Sequence, residues 1–202
     1  MPNRLGILGG TFDPIHIGHL IIASYASEAI GLGRVLFMPA QTPPHKSRGD
    51  ISPAEHRVAM VNLAIAGDDR LELSDFDLRS DGPSFTSDLL ARVHREHPSE
   101  ELFFIAGADS LRDFPTWNEP QVILKHAHLA IASRPGTVVT DAMLAAVPDL
   151  RNRSTLFESP LIEVSSSGIR DRVRKGAAIR YLVPDEVQRY IRDRRLYLDA
   201  GT

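Results

Sequence analysis

The sequence predicts an α/β fold with a doubly wound parallel sheet, helices on both of its faces and a small C-terminal helical extension. Short apolar runs alternate with segments of helical periodicity over most of the 202 residues, which is the pattern of parallel strands joined by crossover helices. The strongest turn and anion-binding signals come directly after apolar runs, at the edge where such sheets bind ligands. Two helix-like segments follow the last apolar run and form the extension.

The first half of the chain alternates between the two kinds of element. Strands are predicted at short runs of continuous or alternating apolar residues, at residues 5–8, 35–38 and 71–76. Helices are predicted where the apolar period is near 3.6, at residues 17–30, 52–67 and 85–94. The second helix has a strong start signal, because Ser52 can cap it, Pro53 suits the first helical position and Glu55 completes a capping box. Gly67 is a typical helix stop.

The second half continues the alternation. Strands are predicted at residues 102–106, 129–132 and 155–158, and helices at residues 119–126, 141–147, 166–175 and 184–194. We expect residues 1–202 to form one domain, of which about 165–202 is the C-terminal helical part. Residues 39–51 are rich in Pro and Gly and are predicted to be a surface loop near the ligand edge.

Composition excludes several classes of protein. The chain has no cysteine, so disulfide scaffolds and thiolate metal sites are excluded. The formal net charge of −3 gives no electrostatic reason to expect nucleic acid as a partner. No apolar run approaches the roughly 20 residues that a membrane helix needs, and the first residues lack a signal-peptide pattern. We expect a cytoplasmic protein with small-molecule substrates and no membrane contact, and a homo-oligomer remains open.

The most informative motif is the string GGTFDPIHIGHL at residues 9–20. It joins the first strand to the first helix. Gly9 and Gly10 allow a ligand to approach the backbone closely, and the start of a helix offers unpaired N–H groups and partial positive charge. His16 and His19 are three residues apart and share one face of the helix. The alternative is a tight turn with two histidines at a helix end, which the length of the whole string disfavours.

The second motif follows the late strand and opens the next helix. Ser166 and Ser167 supply hydroxyls and N–H groups, and Arg170 lies one turn later with a planar guanidinium that suits phosphate. The alternative is a serine-rich helix cap. Taken alone, the segment does not decide between the two.

Both motifs resemble the signatures of the nucleotidylyltransferase superfamily, whose fold is Rossmann-like. The first is similar to its phosphate-binding motif, a Thr-Phe-Asp-Pro run followed by paired histidines. The second is similar to its Ile-Ser-Ser-Thr-x-Ile-Arg signature, with Val164 in place of the first isoleucine and Ser167 in place of the threonine. The tetrad at residues 16–19 also matches class I aminoacyl-tRNA synthetases, but the short chain lacks their lysine-rich loop and a tRNA-binding region.

Further segments narrow the resemblance to the bacterial nicotinate-nucleotide adenylyltransferases. They are Pro43-Pro44-His45-Lys46, the run FIAGADSL at residues 104–111 with Phe114 and Trp117, Ser133-Arg134-Pro135-Gly136, and Tyr181-Leu182-Val183-Pro184. The resemblance extends over about residues 5–196. It implies that ATP and nicotinate mononucleotide give deamido-NAD and pyrophosphate, with Mg²⁺ bridging oxygens of ATP.

The resemblance also implies roles for individual residues. His16, His19 and Arg170 would be catalytic. ATP would be bound by Gly9, Gly10, Thr11, Phe12, His16, His19, Gly107, Asp109, Ser166, Ser167 and Arg170. The mononucleotide would be bound by His45, Lys46, Thr86, Trp117 and Arg134. No protein ligand is assigned to the metal, because Mg²⁺ usually keeps its waters and prefers substrate phosphates.

Other interpretations stay open at this point. The acceptor could be nicotinamide mononucleotide or phosphopantetheine, or the chain could be a non-catalytic nucleotide sensor. Asp109 could be a helix N-cap, and a lone tryptophan such as Trp117 is more often part of a core, although its place in a loop after a strand favours the ligand edge. His126 and His128 have a spacing that could bind a metal, and we interpret them as structural.

Overall fold

A computed structural model describes residues 3–41, 51–79, 85–133 and 139–198. Three residues predicted to bind the mononucleotide, His45, Lys46 and Arg134, lie outside these ranges. The strands are β1 (Asn3–Gly10), β2 (Arg34–Pro39), β3 (Leu71–Leu73), β4 (Glu100–Gly107), β5 (His128–Ser133) and β6 (Ser154–Glu158). They form one sheet in the order β3-β2-β1-β4-β5-β6, and every neighbouring pair is parallel.

Helices cover both faces of this sheet. They are α1 (Ile17–Ile30), α2 (Ala54–Ile65), α3 (Thr86–Glu96), α4 (Ala108–Asp113), α5 (Pro120–His126), α6 (Asp141–Ala145), α7 (Ser166–Arg174) and α8 (Asp185–Asp193). The side chains of β1 alternate between two hydrophobic cores, as the pleat of a strand requires. Leu8 packs with residues of α1, α2 and α8, whereas Leu5 and Ile7 pack with residues of α3, α4 and α5. The predicted doubly wound α/β fold is therefore confirmed.

The strand order reverses beside β1. Ile7 is paired with Leu36 of β2 on one side and with Phe104 of β4 on the other. Since β2 follows β1 along one direction of the sheet and β4 lies in the opposite direction, a crevice opens where the carboxyl ends of β1 and β4 meet. This is where doubly wound sheets bind their ligands.

Two local predictions were wrong, and one helix was not predicted. The strand predicted at residues 71–76 has only three residues, Leu71–Leu73, and none of them is fully buried. The sequence reading missed α4, a six-residue helix directly after β4. The capping box of α2 does not form: Pro53 is the N-cap and no side chain caps the helix. The backbone N–H of Ser52 donates instead to a carboxylate oxygen of Asp13 at 3.1 Å, so a tertiary contact replaces the local cap.

The C-terminal helical part shares its core with the sheet. Ile169, Val187 and Ile191 are buried in the same cluster as Phe37 and Phe103 of the central strands. None of the described helices has the length and apolar character needed to cross a membrane.

Candidate active site

Two adjacent cavities open at the crevice between β1 and β4. The α1 cavity has a volume of about 300 Å³, and its walls include His16, His19 and Gly107. The α3 cavity has a volume of about 220 Å³, and its walls include Asp77 and Thr86. Both cavities are lined by Gly9, Phe104 and Trp117. Two ligands that filled the cavities would therefore meet over the end of β1.

The two histidines of the first motif form a stacked pair at the start of α1. Their ring centroids are 3.7 Å apart and the ring planes differ by 25°. His16 is the N-cap of the helix and is almost fully buried, whereas His19 remains partly exposed. The backbone N–H of His16 donates to Nδ1 of His19 at 3.2 Å. Both imidazoles line the α1 cavity, and their contact with a common ligand stays a prediction.

Both imidazoles are neutral near pH 7. Burial lowers the pKa of His16 to about 4, and burial together with the neighbouring His16 lowers the pKa of His19 to about 3. Because Nδ1 of His19 accepts the hydrogen bond from His16, we infer that the proton of the neutral His19 ring is on Nε2. His19 can therefore donate one hydrogen bond from Nε2 without carrying a charge.

The absence of a side chain at Gly18 leaves room for the stacked pair of His16 and His19. A Cβ atom at position 18 would lie 3.1 Å from Nδ1 of His16 and 3.2 Å from its Cε1, a distance at which the imidazole would have to move. In the first turn of α1, the amide of Ile17 donates to the carbonyl of Leu182 and the amide of His19 to the carbonyl of His16. The amide of Gly18 has no partner among the described residues and can serve an anionic ligand.

Phe12 supports the site from below. Its ring is 1% exposed and lies in the core, with its centroid 5.0 Å from that of His19 in an edge-to-face contact and 5.7 Å from that of Phe37. The backbone at Phe12 has φ 51°, a left-handed conformation that non-glycine residues seldom adopt. Phe12 lines neither cavity, so the structure does not place it at the predicted contact with ATP.

The second motif folds back onto the first. Nη1 of Arg170 donates to the carbonyl of Asp13 at 2.7 Å, and the hydroxyl of Ser166 donates to the carbonyl of Pro14 at 2.9 Å. Ser165, the N-cap, accepts from the amide of Gly168 at 3.1 Å. The predicted ATP ligands Ser166, Ser167 and Arg170 are not among the residues that line either cavity. The motif is therefore both a helix cap and a brace for the turn before α1.

The segment after β4 contributes to the α1 cavity. Gly107 is the N-cap of α4 and lines this cavity together with Ser110. The side chain of Asp109 is 72% exposed and lies 3.5 Å from the guanidinium of Arg112. Asp109 lies in the first turn of α4, so the N-cap role considered for it belongs to Gly107.

The α3 cavity brings together two residues predicted to bind the mononucleotide. Thr86 is the first residue of α3, and Trp117 packs against Phe104 and Phe114 with centroids 6.0 and 5.5 Å away. Gly10 and Thr11, which were predicted to cradle ATP, line this cavity and not the α1 cavity. Asp77 also lines it, is 3% exposed and accepts from the amide of Gln41 at 3.3 Å.

Sequence reasoning missed several wall residues. Asp77 lies outside every recognised motif, and no local signal marks it. The α1 cavity is closed on its far side by residues that follow β6, namely Ser159, Pro160, Ile162 and Val164. Val164 belongs to the second motif, and for the other three residues the position just after a parallel strand was the available signal.

The other histidines in the described part of the chain line neither cavity. His128 contacts Glu101 at 3.4 Å and a guanidinium nitrogen of Arg153 at 2.8 Å, and His126 lies against His94 with ring centroids 5.1 Å apart. Among the described residues, no group of three His, Asp or Glu side chains is placed to hold a metal ion. The interpretation of His126 and His128 as structural stays a prediction.

Comparisons with known proteins agree with this architecture. Residues 7–172 match the family model described as cytidylyltransferase-like. A protein of Thermomicrobium roseum named "Probable nicotinate-nucleotide adenylyltransferase" is 48% identical over 196 residues, which cover 96% of this chain and 92% of that protein. A protein of Thermus thermophilus with the same name is 44% identical over 194 residues, which cover 96% of this chain and 99% of the relative.

The fold also has a close match among solved structures. Nicotinic acid mononucleotide adenylyltransferase of Plasmodium falciparum, solved in complex with NaAD, superposes with a TM-score of 0.80. The match covers 96% of this chain and 97% of that chain at 22% identity. At this identity the likeness concerns the fold.

Proposed function

Because the chain belongs to the cytidylyltransferase-like family and, at 39–48% identity over nearly its whole length, to the nicotinate-nucleotide adenylyltransferases within it, we propose that it transfers the adenylyl group of ATP to nicotinate mononucleotide. The products are deamido-NAD and pyrophosphate, and the reaction is a step of NAD biosynthesis. The observation that carries the proposal is the pair of cavities joined at Gly9, Phe104 and Trp117. A reaction that couples two nucleotides needs two adjoining sites of this kind.

The bond changes require little acid–base chemistry. A phosphate oxygen of the mononucleotide attacks the α-phosphorus of ATP, and the bond from that phosphorus to the bridging oxygen breaks as pyrophosphate leaves. The nucleophile is already anionic at pH 7, so no general base is needed. Catalysis then consists of positioning and of stabilising charge on the phosphoryl oxygens.

The neutral histidines suit this task. We assign ATP to the α1 cavity, where Nε2–H of His19 and the amide of Gly18 are donors for phosphate oxygens, with His16 stacked beside them. Because their pKa values are strongly lowered, the imidazoles stay neutral beside the phosphate. A neutral imidazole can donate a hydrogen bond to a phosphate oxygen without a proton being transferred. The backbone at residues 107–110 would take the ribose of ATP, and Arg170 would act on the leaving pyrophosphate from its place beside Asp13.

We assign the pyridine ring to the α3 cavity. Trp117 offers an aromatic surface, and Thr86 offers its hydroxyl and its amide at the start of α3. Mg²⁺ would accompany ATP and neutralise charge on its phosphates. Since Mg²⁺ prefers substrate oxygens and retained waters, we propose no protein ligand for it. We also propose a cytoplasmic location for the protein.

The test is a pyrophosphate-release assay with purified protein, ATP and Mg²⁺. Nicotinate mononucleotide, nicotinamide mononucleotide and phosphopantetheine are supplied in turn as acceptors. We expect release with the pyridine mononucleotides only, with preference for the acid. Equal turnover with phosphopantetheine would assign the protein to another acceptor, and ATP binding without turnover of any acceptor would identify a nucleotide sensor.

A further inference from the structure

Helix α2 buries a guanidinium beneath the active site. Arg57 is 2% exposed and is the bulkiest of the fully buried side chains in the described part of the chain. Its Nε donates to the carbonyl of Ser52 at 3.1 Å, and its Nη1 donates to the carbonyls of Thr11 at 3.0 Å and Ala40 at 2.8 Å. One side chain therefore joins three separate segments of backbone.

Two of these carbonyls belong to walls of the α3 cavity. Thr11 is the first residue after β1 and Ala40 is the first residue after β2, and both line that cavity. The amide of Ala40 also donates to the carbonyl of Gly10 at 2.8 Å. Arg57 itself lines neither cavity. It therefore holds the wall of the α3 cavity from behind and cannot touch a ligand there.

Burying a cation at this position costs free energy of folding, which is offset only if the hydrogen bonds that it makes serve the structure or the site. The desolvation of an ion costs several kcal/mol, and a well-packed apolar side chain often gives a more stable protein. The negative groups that oppose this cost for Arg57 are Asp13 and Asp77, both almost fully buried, with the phenol of Tyr197 nearby. Asp77 lines the α3 cavity as well. One of the two carboxylates that balance the charge of Arg57 therefore belongs to the wall of the site.

We propose that Arg57 is a positioning residue for the acceptor nucleotide: it fixes the backbone of Thr11 and Ala40 and thereby sets the affinity of the α3 cavity for the mononucleotide. The α1 cavity shares neither of these residues, so binding of ATP does not depend on Arg57 to the same degree. The inference rests on the proposed function for the identity of the ligand in each cavity.

The experiment compares Arg57→Met and Arg57→Lys with the wild type. Methionine keeps most of the length and removes the charge and donors, whereas lysine keeps the charge but lacks the planar fork. Val61→Ala is the matched control, because Val61 lies one turn further along the same helix, is fully buried and lines neither cavity. Each variant is assayed well below its own unfolding temperature.

We expect Arg57→Met to raise KM for nicotinate mononucleotide by about tenfold or more, as a small misplacement of a binding wall does, while KM for ATP stays within about threefold. Arg57→Lys should give the same split to a smaller degree. Val61→Ala should unfold at lower temperature with both KM values unchanged. If Arg57→Met does not fold, Arg57→Lys carries the test.

Two results would overturn the inference: equal rises in both KM values, or no change in either. Failure of the proposed function is detected separately, because the wild type would then not release pyrophosphate with nicotinate mononucleotide. In that case the same comparison is made with whichever acceptor the wild type uses, and an unchanged KM for that acceptor would again overturn the inference.

Discussion

Because the nucleophile needs no base and Nδ1 of His19 already accepts a hydrogen bond, the neutral imidazole of His19 should assist phosphoryl transfer as a hydrogen-bond donor. Removing one donor aimed at developing charge typically lowers turnover by about 10²–10³-fold. We predict a loss of that order in kcat for His19→Ala, with an intact fold because His19 is partly exposed. Steady-state kinetics measures the loss, and circular dichroism checks the fold.

His97→Ala is the control for this substitution. His97 lies just after α3, contacts Glu100 at 2.8 Å and lines neither cavity. Its variant should keep the wild-type kcat. A folded His19→Ala protein that also kept most of its activity would show that the donor is elsewhere.

The contribution of stacking on Trp117 and the contribution of recognising the substrate carboxylate should be separable by substitution. A carboxylate only accepts hydrogen bonds, whereas a carboxamide also donates, so donors around Thr86 would leave the amide mismatched. Stacking on Trp117 should contribute nearly equally to the binding of the acid and of the amide. We predict that Trp117→Ala lowers kcat/KM for both nicotinate and nicotinamide mononucleotides while the preference for the acid survives in large part. Because Trp117 also lines the α1 cavity, KM for ATP is measured in parallel.

The outcomes for Trp117 have distinct meanings. Equal use of acid and amide by the wild type would contradict the nicotinate assignment. Loss of the preference in Trp117→Ala would mean that the tryptophan itself orients the group that reads the carboxylate.

Individual site residues were predictable where a motif carried them. His16, His19, Gly107, Thr86 and Trp117 all line one or both cavities. All but Thr86 came from a string with a recognisable pattern, and Thr86 was implied by the family resemblance alone. The sequence did not reveal that Phe12 is a core residue beneath His19, because a motif gives the order of residues and not their direction. Asp77 and Arg57 could not be found either, since their importance depends on contacts between segments distant in sequence.

At the scale of the element, the two ends of α1 have different requirements for glycine. Gly31 ends the helix at φ 70°, where a Cβ would meet nothing within 4 Å. Gly31→Ala should therefore cost about 1–2 kcal/mol of unfolding free energy through its backbone conformation alone. Gly18 has an ordinary backbone, but its Cβ would press on His16.

We therefore predict opposite effects for the two substitutions. Gly18→Ala should lower kcat/KM by about tenfold or more through displacement of the imidazole, without a loss of helix stability, since alanine is the better helix former. Gly31→Ala should unfold more easily with wild-type kinetics. Urea denaturation and steady-state assays on both variants measure the contrast. Wild-type activity in Gly18→Ala would contradict the tight packing described for His16.

The periodicity of the sequence predicted most of the helices and strands, but not the residues at which they begin and end. The apolar runs of β1, β4 and β5 are long and buried and were recognised directly. The short strand β3 and the helix α4 were misjudged because three to six residues carry too little pattern. The start of α2 was misjudged because the amide of Ser52 is bound by Asp13, a partner 39 residues away.

On the scale of the whole molecule, the C-terminal part completes the first motif. The hydroxyl of Tyr197 donates to a carboxylate oxygen of Asp13 at 2.7 Å, and Arg170 donates to the carbonyl of the same residue. Leu182 accepts from the first amide of α1. Residues 165–198 therefore hold the turn that presents His16 and His19, so two motifs about 150 residues apart in the sequence contact each other.

The stability of the whole molecule should depend on pH through the same histidines. The ordinary pKa of a histidine is 6.5, and the folded protein lowers it to about 4 for His16 and about 3 for His19. Between these values the unfolded chain binds protons that the folded protein does not, so the unfolding free energy falls as pH falls below 6.5 and is fully retained above it. Each histidine contributes a slope of up to about 1.4 kcal/mol per pH unit.

We predict that urea denaturation from pH 7 to pH 4.5 gives a flatter curve of unfolding free energy against pH for His19→Ala than for the wild type. The double variant with His16→Ala should give a flatter curve still. Gly31→Ala provides the control, because it removes no titrating group and should shift the curve by a constant amount. Parallel curves for the wild type and both histidine variants would mean that the imidazoles titrate normally in the folded protein, and the neutral-donor role proposed for His19 would then have to be abandoned.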